Sequence, residues 1–470
     1  MQVEAIYGPP GTGKTTELLR RVKETRDSGV QAERVAFVSF TRAAANEALS
    51  RLGLRRSDNV STIHAMAFRH MGMRQSQVVD PMKLREFSVV MGVPVIGKSP
   101  EDDEERADGD FYLDILNYAR NTFNDPANVY DVSDRPGTRA EFNAFVRAYS
   151  EWKSTYGYYD FTDMLERAAK GAVRADAEVV FVDEAQDLSP LQWAVIEKLC
   201  RRSHQVIIAG DDDQAIYTWV GADEHGMARF TQRHKGSNTV LSQSHRLPST
   251  VHSRSQDLIR RVNFRVDKTF NPRAHLGLVR VHGSINSVEI EHGTDTLLLG
   301  RTHSVLREVE QSLIEKRIPY TRESGRPGMY QNRYASAIRA FRKLGRGERI
   351  ADSERNAIFA VATAETRSDL ERNDHAFANR PFYVALNVPA RVIDFYADAD
   401  LDVAPTIRLS TIHAAKGHEA DRVILLTDMT TRVQQTAEKS PDDEVRVFYV
   451  GMTRSKNVLD IVEGYNGYKL

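Results

Sequence analysis

Gly8-Pro9-Pro10-Gly11-Thr12-Gly13-Lys14-Thr15-Thr16 follows a short apolar run, Val3–Tyr7, and precedes a helical pattern carrying Leu18, Leu19 and Val22. Through Thr15 the stretch fits G-x-x-x-x-G-K-[ST]. Its glycines let successive backbone N–H groups wrap phosphate oxygens, and the positive end of the following helix adds to the attraction. In that pattern Lys14 reaches the β- and γ-phosphates of a nucleotide and Thr15 holds Mg2+ through its hydroxyl. A strand, a glycine turn and a helix in this order predict an α/β fold.

Working outward, further apolar runs alternate with helical patterns. Arg34–Phe40 (RVAFVSF), Glu178–Val182 (EVVFV) and Val206–Ala209 (VIIA) read as buried strands, with the alanine-rich Ala43–Leu52 as a helix after the first of them. A second series follows: Gly277–His282, Thr296–Gly300 (TLLLG), Thr406–Ser410 and Arg422–Thr427 as strands, Val305–Lys316 and Glu444–Gly451 as helices. Apolar strands spaced by helices predict parallel sheets covered on both faces. The fold class expected is therefore α/β, with two parallel-sheet cores in tandem, each interrupted by a mainly helical insert. The expected boundaries are 1–66 and 155–245 for the first core with its insert at 67–154. For the second core they are 246–325 and 405–470, with a reduced insert at 326–404.

Two strands end in acidic turns, where carboxylates meet a nucleotide in open α/β sheets. In Phe181-Val182-Asp183-Glu184-Ala185-Gln186-Asp187, Asp183 is placed to bind Mg2+ and Glu184 to position and deprotonate the attacking water. Adjacent carboxylates on a loop are ordinarily a solvated turn; after a VVFV strand in a chain with a phosphate loop they point to catalysis. In Ala209-Gly210-Asp211-Asp212-Asp213-Gln214, the Gln214 amide can hydrogen-bond a γ-phosphate or its water. A calcium loop fits poorly there, because the EF-hand glycine and terminal glutamate are missing.

Composition bounds the remaining classes. Lys and Arg number 64 against 65 Asp and Glu, so any nucleic-acid surface has to be local rather than spread over the exterior. The single cysteine, Cys200, excludes an internal disulfide and a cysteine zinc site, and follows an apolar run as core filler does. No apolar run approaches a membrane span, and Met1–Glu4 lacks a basic signal-peptide start. A soluble protein of a reducing compartment is the expectation. The acidic run Glu101–Glu105 reads as a solvated loop.

Taken in order, these motifs resemble one family, the UvrD/Rep/PcrA group of superfamily 1 DNA helicases. Besides GPPGTGKT and DEAQD, Gly210–Ala222 (GDDDQAIYTWVGA) is similar to GDxDQSIYxWRGA, and Leu241–Arg246 (LSQSHR) to LxQNYR. Leu409–Glu419 (LSTIHAAKGHE) is similar to LxTxHxSKGLE, Phe448–Lys456 (FYVGMTRSK) to FYVAxTRAK and Phe161–Leu165 (FTDML) to part of DFxDLL. The series covers essentially the whole chain.

The resemblance implies roles position by position. Arg246 and Arg454 match two arginines that reach the γ-phosphate from the second core, which suits a guanidinium fork. Glu419 matches a position near the ribose, and His245 stands where the family's tyrosine faces the adenine. Phe40, Tyr217 and Trp219 match aromatics that stack on single-stranded bases, and Thr41, Arg42, Thr62, His64, Thr411 and His413 match neighbouring strand contacts. A lone aromatic is more often core, and His64 and His413 could equally cap local backbone.

The implied activity is ATP-dependent translocation on single-stranded DNA and opening of single-strand/duplex junctions, 3′→5′ by the form of the third and fifth motifs. The implied setting is a bacterial or phage-infected cytoplasm, as a monomer, with replication or repair proteins as partners. Three alternatives stand beside it: a DNA-stimulated remodeller that unwinds weakly, an RNA helicase, and a structural DNA-binding subunit with a degenerate ATPase. The last conflicts with Lys14, Thr15, Asp183, Glu184, Gln214, Arg246 and Arg454 all being present. Three departures from the family pattern are His245, the short segment before Gly8, with no adenine-reading glutamine, and the reduced second insert and tail.

Overall fold

The structure, a computed structural model, describes every residue except 41–44, 47, 51–58, 98–105, 134–136, 173–175 and 326. The expected Glu101–Glu105 loop and half of the Ala43–Leu52 helix therefore lie outside the described residues. The chain divides into two compact units, Met1–Leu276 with Thr436–Tyr449, and Gly277–Gln435 with Val450–Leu470.

The first unit is built on β1 (Gln2–Tyr7), β2 (Val35–Ser39), β3 (Val60–Thr62), β4 (Val179–Asp183), β5 (Gln205–Gly210) and β6 (Ser237–Val240). All pairs are parallel, in the order β3-β2-β4-β5-β1-β6. Alternate residues of each strand feed opposite faces. Val3, Ala5 and Tyr7 join Val180, Val182, Val206 and Ile208 on one side, against Trp193, Ile196 and Met227. Ile6, Phe37, Phe181 and Ile207 face the other, under Leu18, Leu19 and Val22 of helix Lys14–Asp27. Burial on both faces explains why these strands read as continuous apolar runs. Because β5 lies between β4 and β1, the ends of all three strands meet at one sheet edge.

The helical insert of this unit has a core of its own. Phe87, Tyr112, Phe142, Phe145, Tyr149 and Trp152 form one aromatic cluster on helices Pro81–Met91, Asp108–Thr122 and Arg139–Tyr156. A buried ionic knot ties it to the following helix, Phe161–Arg167. Lys153 Nζ reaches Asp160 at 2.5 Å and Asp163 at 2.6 Å, and Arg120 bonds Asp160, Asp163 and Glu166.

In the second unit β7 (Leu278–His282), β8 (Thr296–Gly300), β9 (Tyr320–Arg322), β10 (Ile407–Thr411), β11 (Ala420–Leu426) and β12 (Ser455–Val462) form another parallel sheet, ordered β7-β12-β11-β8-β10-β9. Its helices between 326 and 404 share one apolar cluster with the sheet: Ile338, Phe341, Phe377 and Tyr396 pack with Leu298, Leu409 and Ile424. Two parallel sheets with flanking helical segments are thus tandem RecA-like α/β cores with helical inserts, the expected fold class. Residues 246–276, read above with the second core, fall in the first unit, where Arg265 and Lys268 are bound to Asp211–Asp213. No helix among the described residues is long and apolar enough to cross a membrane.

Candidate functional site

Site geometry begins where β1 ends. Gly8 N–H donates to the Gly210 carbonyl at 3.0 Å, fixing the start of the loop on β5. Thr12 closes the turn, its hydroxyl donating to the Pro9 carbonyl at 2.7 Å. Gly11 has φ 74°, and a β-carbon there would collide with Arg246, so glycine is required on both conformational and steric grounds. Gly13, also left-handed at φ 82°, caps the helix that begins at Lys14, and Thr16 stands exposed on its first turn. Lys14 Nζ lies across the loop, donating to the Gly8 carbonyl at 2.8 Å.

Thr15 Oγ1 donates to Asp183 Oδ2 at 3.0 Å, joining the phosphate loop to the acidic end of β4. Asp183 is fully buried, and its other oxygen accepts the Glu184 N–H at 3.0 Å. Burial, and then the neighbouring Glu184, push its carboxyl up to about 7, against the pull of Lys14 and Thr15. A buried carboxylate raised in this way is one that a nearby cation relieves. One hydroxyl and one carboxylate, with phosphate oxygens and water completing the shell, is a donor set that suits Mg2+. Glu184 itself has φ 52° and ψ 42°, a left-handed backbone that a non-glycine residue adopts at a cost of about 1–3 kcal/mol.

Gln214 is buried on the next turn, its Nε2 donating to Asp211 Oδ2 at 2.6 Å. His245 and Arg246 are brought to the phosphate loop from within the first unit. His245 N–H donates to the Gly11 carbonyl at 2.8 Å, and Ser244 Oγ to the Pro10 carbonyl at 2.8 Å. Arg246 was expected to arrive from the second core; it stands instead beside Gly11, because residues 241–247 continue from β6, next to β1. Arg454 belongs to the second unit and is buried, Nε donating to the Val450 carbonyl at 3.0 Å. Glu419 pairs with Lys456 at 3.1 Å, also in the second unit.

The expected strand contacts separate into three groups. Phe40 and Tyr217 stack on each other, centroids 5.6 Å apart and planes 28° from parallel, on the loops after β2 and β5, and Trp219 is half-buried two residues on. Thr62 caps helix Ile63–His70, its hydroxyl accepting from Ala65 N–H, and His64 meets the half-exposed ring of Phe161 edge-on at 5.6 Å. Burial lowers His64 to about 4, so the ring is neutral at pH 7 and offers no charge to a phosphate. Thr411 and His413 are buried in the second unit, where the Thr411 hydroxyl accepts from Ala414 N–H. Thr41 and Arg42 lie outside the described residues.

Sequence reasoning overlooked Gln186, Asp211, Arg265 and Lys268, which lie buried or half-buried around these turns. The signal for them was the run of acids itself: three consecutive aspartates behind a buried strand need cations, and the fold supplies Arg265 and Lys268.

A phosphate loop joined to an acidic strand end at the edge of a parallel sheet defines a P-loop nucleotide site. Residues 2–235 match the UvrD/REP helicase N-terminal domain, and residues 393–463 the UvrD-like helicase C-terminal domain. The chain belongs to the UvrD/REP helicase family. Among its relatives, ATP-dependent DNA helicase PcrA of Leuconostoc citreum is 24% identical over 405 residues, covering 78% of this chain and 53% of its own length. ATP-dependent DNA helicase UvrD2 of Mycobacterium tuberculosis (strain ATCC 25618 / H37Rv) is 24% identical over 548 residues, 97% of this chain and 77% of its own. DNA helicase II of Haemophilus influenzae is 26% identical over 220 residues, 42% and 30% respectively. The chain thus spans about half the length of the PcrA relative. A solved arterivirus nonstructural protein 10 helicase covers 98% of this chain and 59% of its own at 13% identity, with a TM-score of 0.36, too low to carry any argument.

Proposed function

We propose that this protein hydrolyses ATP on its first unit and uses the cycle to move along single-stranded DNA and open duplex junctions. The observation that carries the proposal is the Thr15–Asp183 hydrogen bond, which sets the phosphate loop, the buried carboxylate and the strained Glu184 side by side. Lys14 and the loop N–H groups hold the β- and γ-phosphates. Bound Mg2+, held by Thr15 and Asp183, would supply positive charge to the phosphate oxygens. Glu184 takes a proton from the attacking water as its oxygen bonds the γ-phosphorus. The bond to the β–γ bridging oxygen breaks, and ADP and phosphate leave. Arg246, seated at Gly11, neutralises charge on the transferring group, and Arg454 is assigned the same task by its motif.

Phe40, Tyr217 and Trp219 support a sequence-tolerant grip on unpaired bases, which fits a chain with no net positive charge. The motif forms support 3′→5′ movement, and the names of the relatives support DNA as the track. The test is Glu184→Gln beside the unaltered chain, with ATP hydrolysis measured with and without single-stranded DNA or RNA, and unwinding of 3′-tailed, 5′-tailed and blunt duplexes. The variant is expected to bind ATP and barely turn over, and the unaltered chain to open only the 3′-tailed DNA. Full hydrolysis by Glu184→Gln would overturn the catalytic assignment. Stimulation by RNA alone would overturn the choice of DNA, and hydrolysis without strand opening would reduce the protein to a remodelling translocase.

A further inference from the structure

Gln186 lies two residues beyond Glu184 and is fully buried. Its side chain makes three contacts that no assigned role explains. The amide Nε2 donates to Glu184 Oε2 at 2.6 Å and to Asp187 Oδ2 at 3.2 Å, and Oε1 accepts the Asp211 backbone N–H at 3.0 Å. A backbone N–H can only donate, so the carbonyl end of the amide must face Asp211. The donor end therefore faces the two carboxylates. The orientation of the group is settled by its partners.

Room for this arrangement comes from Gly210. A β-carbon there would stand 2.5 Å from Gln186 Oε1 and 3.1 Å from Gln186 N, and would also strike Met227. The end of β5 thus presses directly on the amide. From Asp211 the contacts run on toward the strand loop: its carboxylate accepts Gln214 Nε2 at 2.6 Å, its carbonyl accepts Gln214 N–H at 2.8 Å, and Tyr217 and Trp219 follow within five residues. One buried amide therefore joins the Glu184 carboxylate, to which activation of the water is assigned above, to the turn that leads to Tyr217 and Trp219.

We propose that Gln186 is a positioning residue: it fixes the Glu184 carboxylate and couples its orientation to the strand-binding loop through Asp211 and Gln214. This rests on the function proposed above. When bases engage Tyr217 and Trp219, movement of the 211–219 turn is passed to the Asp211 N–H, and the Gln186 amide swings the carboxylate with it. A misplacement of a catalytic group by about 1 Å costs on the order of 100-fold in rate, so a modest shift suffices to switch hydrolysis.

The test uses the full chain carrying Gln186→Met, which keeps length and bulk and removes both ends of the amide, and Gln186→Glu, which removes the donor. With saturating single-stranded DNA, kcat for ATP should fall about 30- to 100-fold in both, while KM for ATP and oligonucleotide affinity change less than about threefold. The factor by which DNA stimulates hydrolysis should fall toward one. Retention of kcat and of DNA stimulation in Gln186→Met would show that the side chain only fills space. So would a parallel loss of melting temperature, ATP affinity and DNA affinity. Glu184→Gln in the same assay separates the two claims: if it hydrolyses normally, the catalytic reading itself has failed, whatever Gln186 does.

Discussion

Lys268→Met tests the charge arrangement beneath the strand loop. The Lys268 ammonium is 1% exposed, lies 3.0 Å from Asp211 Oδ1 and 3.0 Å from Asp213 Oδ2, and bonds Asp212 as well. Arg265 holds Asp213 through two contacts of 2.8 and 2.5 Å. Three buried carboxylates are thus met by two cations, and the substitution leaves one. At 3.0 Å and an effective dielectric near 20, each lysine–aspartate attraction is about 5 kcal/mol gross. Desolvation of the ammonium and repulsion among the carboxylates offset most of this, and breaking such a buried group costs about 3–5 kcal/mol net. For a unit of this size that is a drop of roughly 10 °C in its melting temperature.

The pH dependence gives the sharper readout. Burial opposes the Lys268 charge, but the three aspartates more than compensate and hold its pKa above the ordinary value. Its contribution is therefore complete at neutral pH and lost only on passing above the usual lysine range, about 10.4. Asp211 is held below its ordinary value, where Lys268, Lys14 and Gln214 outweigh burial, whereas burial prevails at Asp213 and raises it. Without the ammonium Asp211 and Asp213 both move up, because each loses the pull of Lys268, so protonation relieves their repulsion as the pH falls toward about 4. Melting of the unaltered and Lys268→Met chains between pH 8 and pH 5, followed by circular dichroism, should show a deficit that narrows with acid. A deficit below about 1 kcal/mol at neutral pH, or one that widens on acidification, would refute the reasoning.

Three further outcomes are expected. Lys14→Ala should abolish DNA-stimulated hydrolysis while leaving the melting temperature within about 2 °C, since the half-exposed ammonium serves the loop rather than a core, checked by phosphate release and calorimetry. Trp219→Ala should weaken single-strand binding by about 1–3 kcal/mol in fluorescence anisotropy and lower basal hydrolysis far less; equal losses would contradict the stacking role. Asp460→Asn should destabilise the second unit by about 3 kcal/mol, because the fully buried carboxylate accepts from Arg280, His282 and Arg422. Those bonds outweigh burial and hold its pKa low, so its contribution is present above about pH 4 and lost as the pH falls further. The acid limb of the melting profile should accordingly flatten in the variant.

The strands that carry the site were legible because burial on two faces writes an unbroken apolar run; Thr296–Gly300 matches residue for residue. Short or half-exposed strands were not. Val60–Thr62 has three residues, and Ser237–Val240 is an edge strand whose residues are mostly exposed, so neither leaves a periodic trace. The phosphate loop and the Asp183-Glu184 pair were readable because their chemistry is local in sequence. Lys268 and Asp211 were not, because 57 residues separate partners that only the folded chain brings within 3.0 Å. Thr411 and His413 match strand-contacting positions by pattern, and in the fold their side chains are buried in the second unit, which the pattern does not register.

The two inserts differ in how they are packed, and this governs how each can come apart. The first has its own aromatic core, joined to its unit by the Lys153–Arg120 knot, so it can open as a cooperative subunit while its sheet stays closed. Amide hydrogens on helices Asp108–Thr122 and Arg139–Tyr156 should then exchange together, at a free energy below that of the β1–β5 strands. The helices between 326 and 404 contribute to the same apolar cluster as β8, β10 and β11, and their amides should exchange only when that sheet itself unfolds.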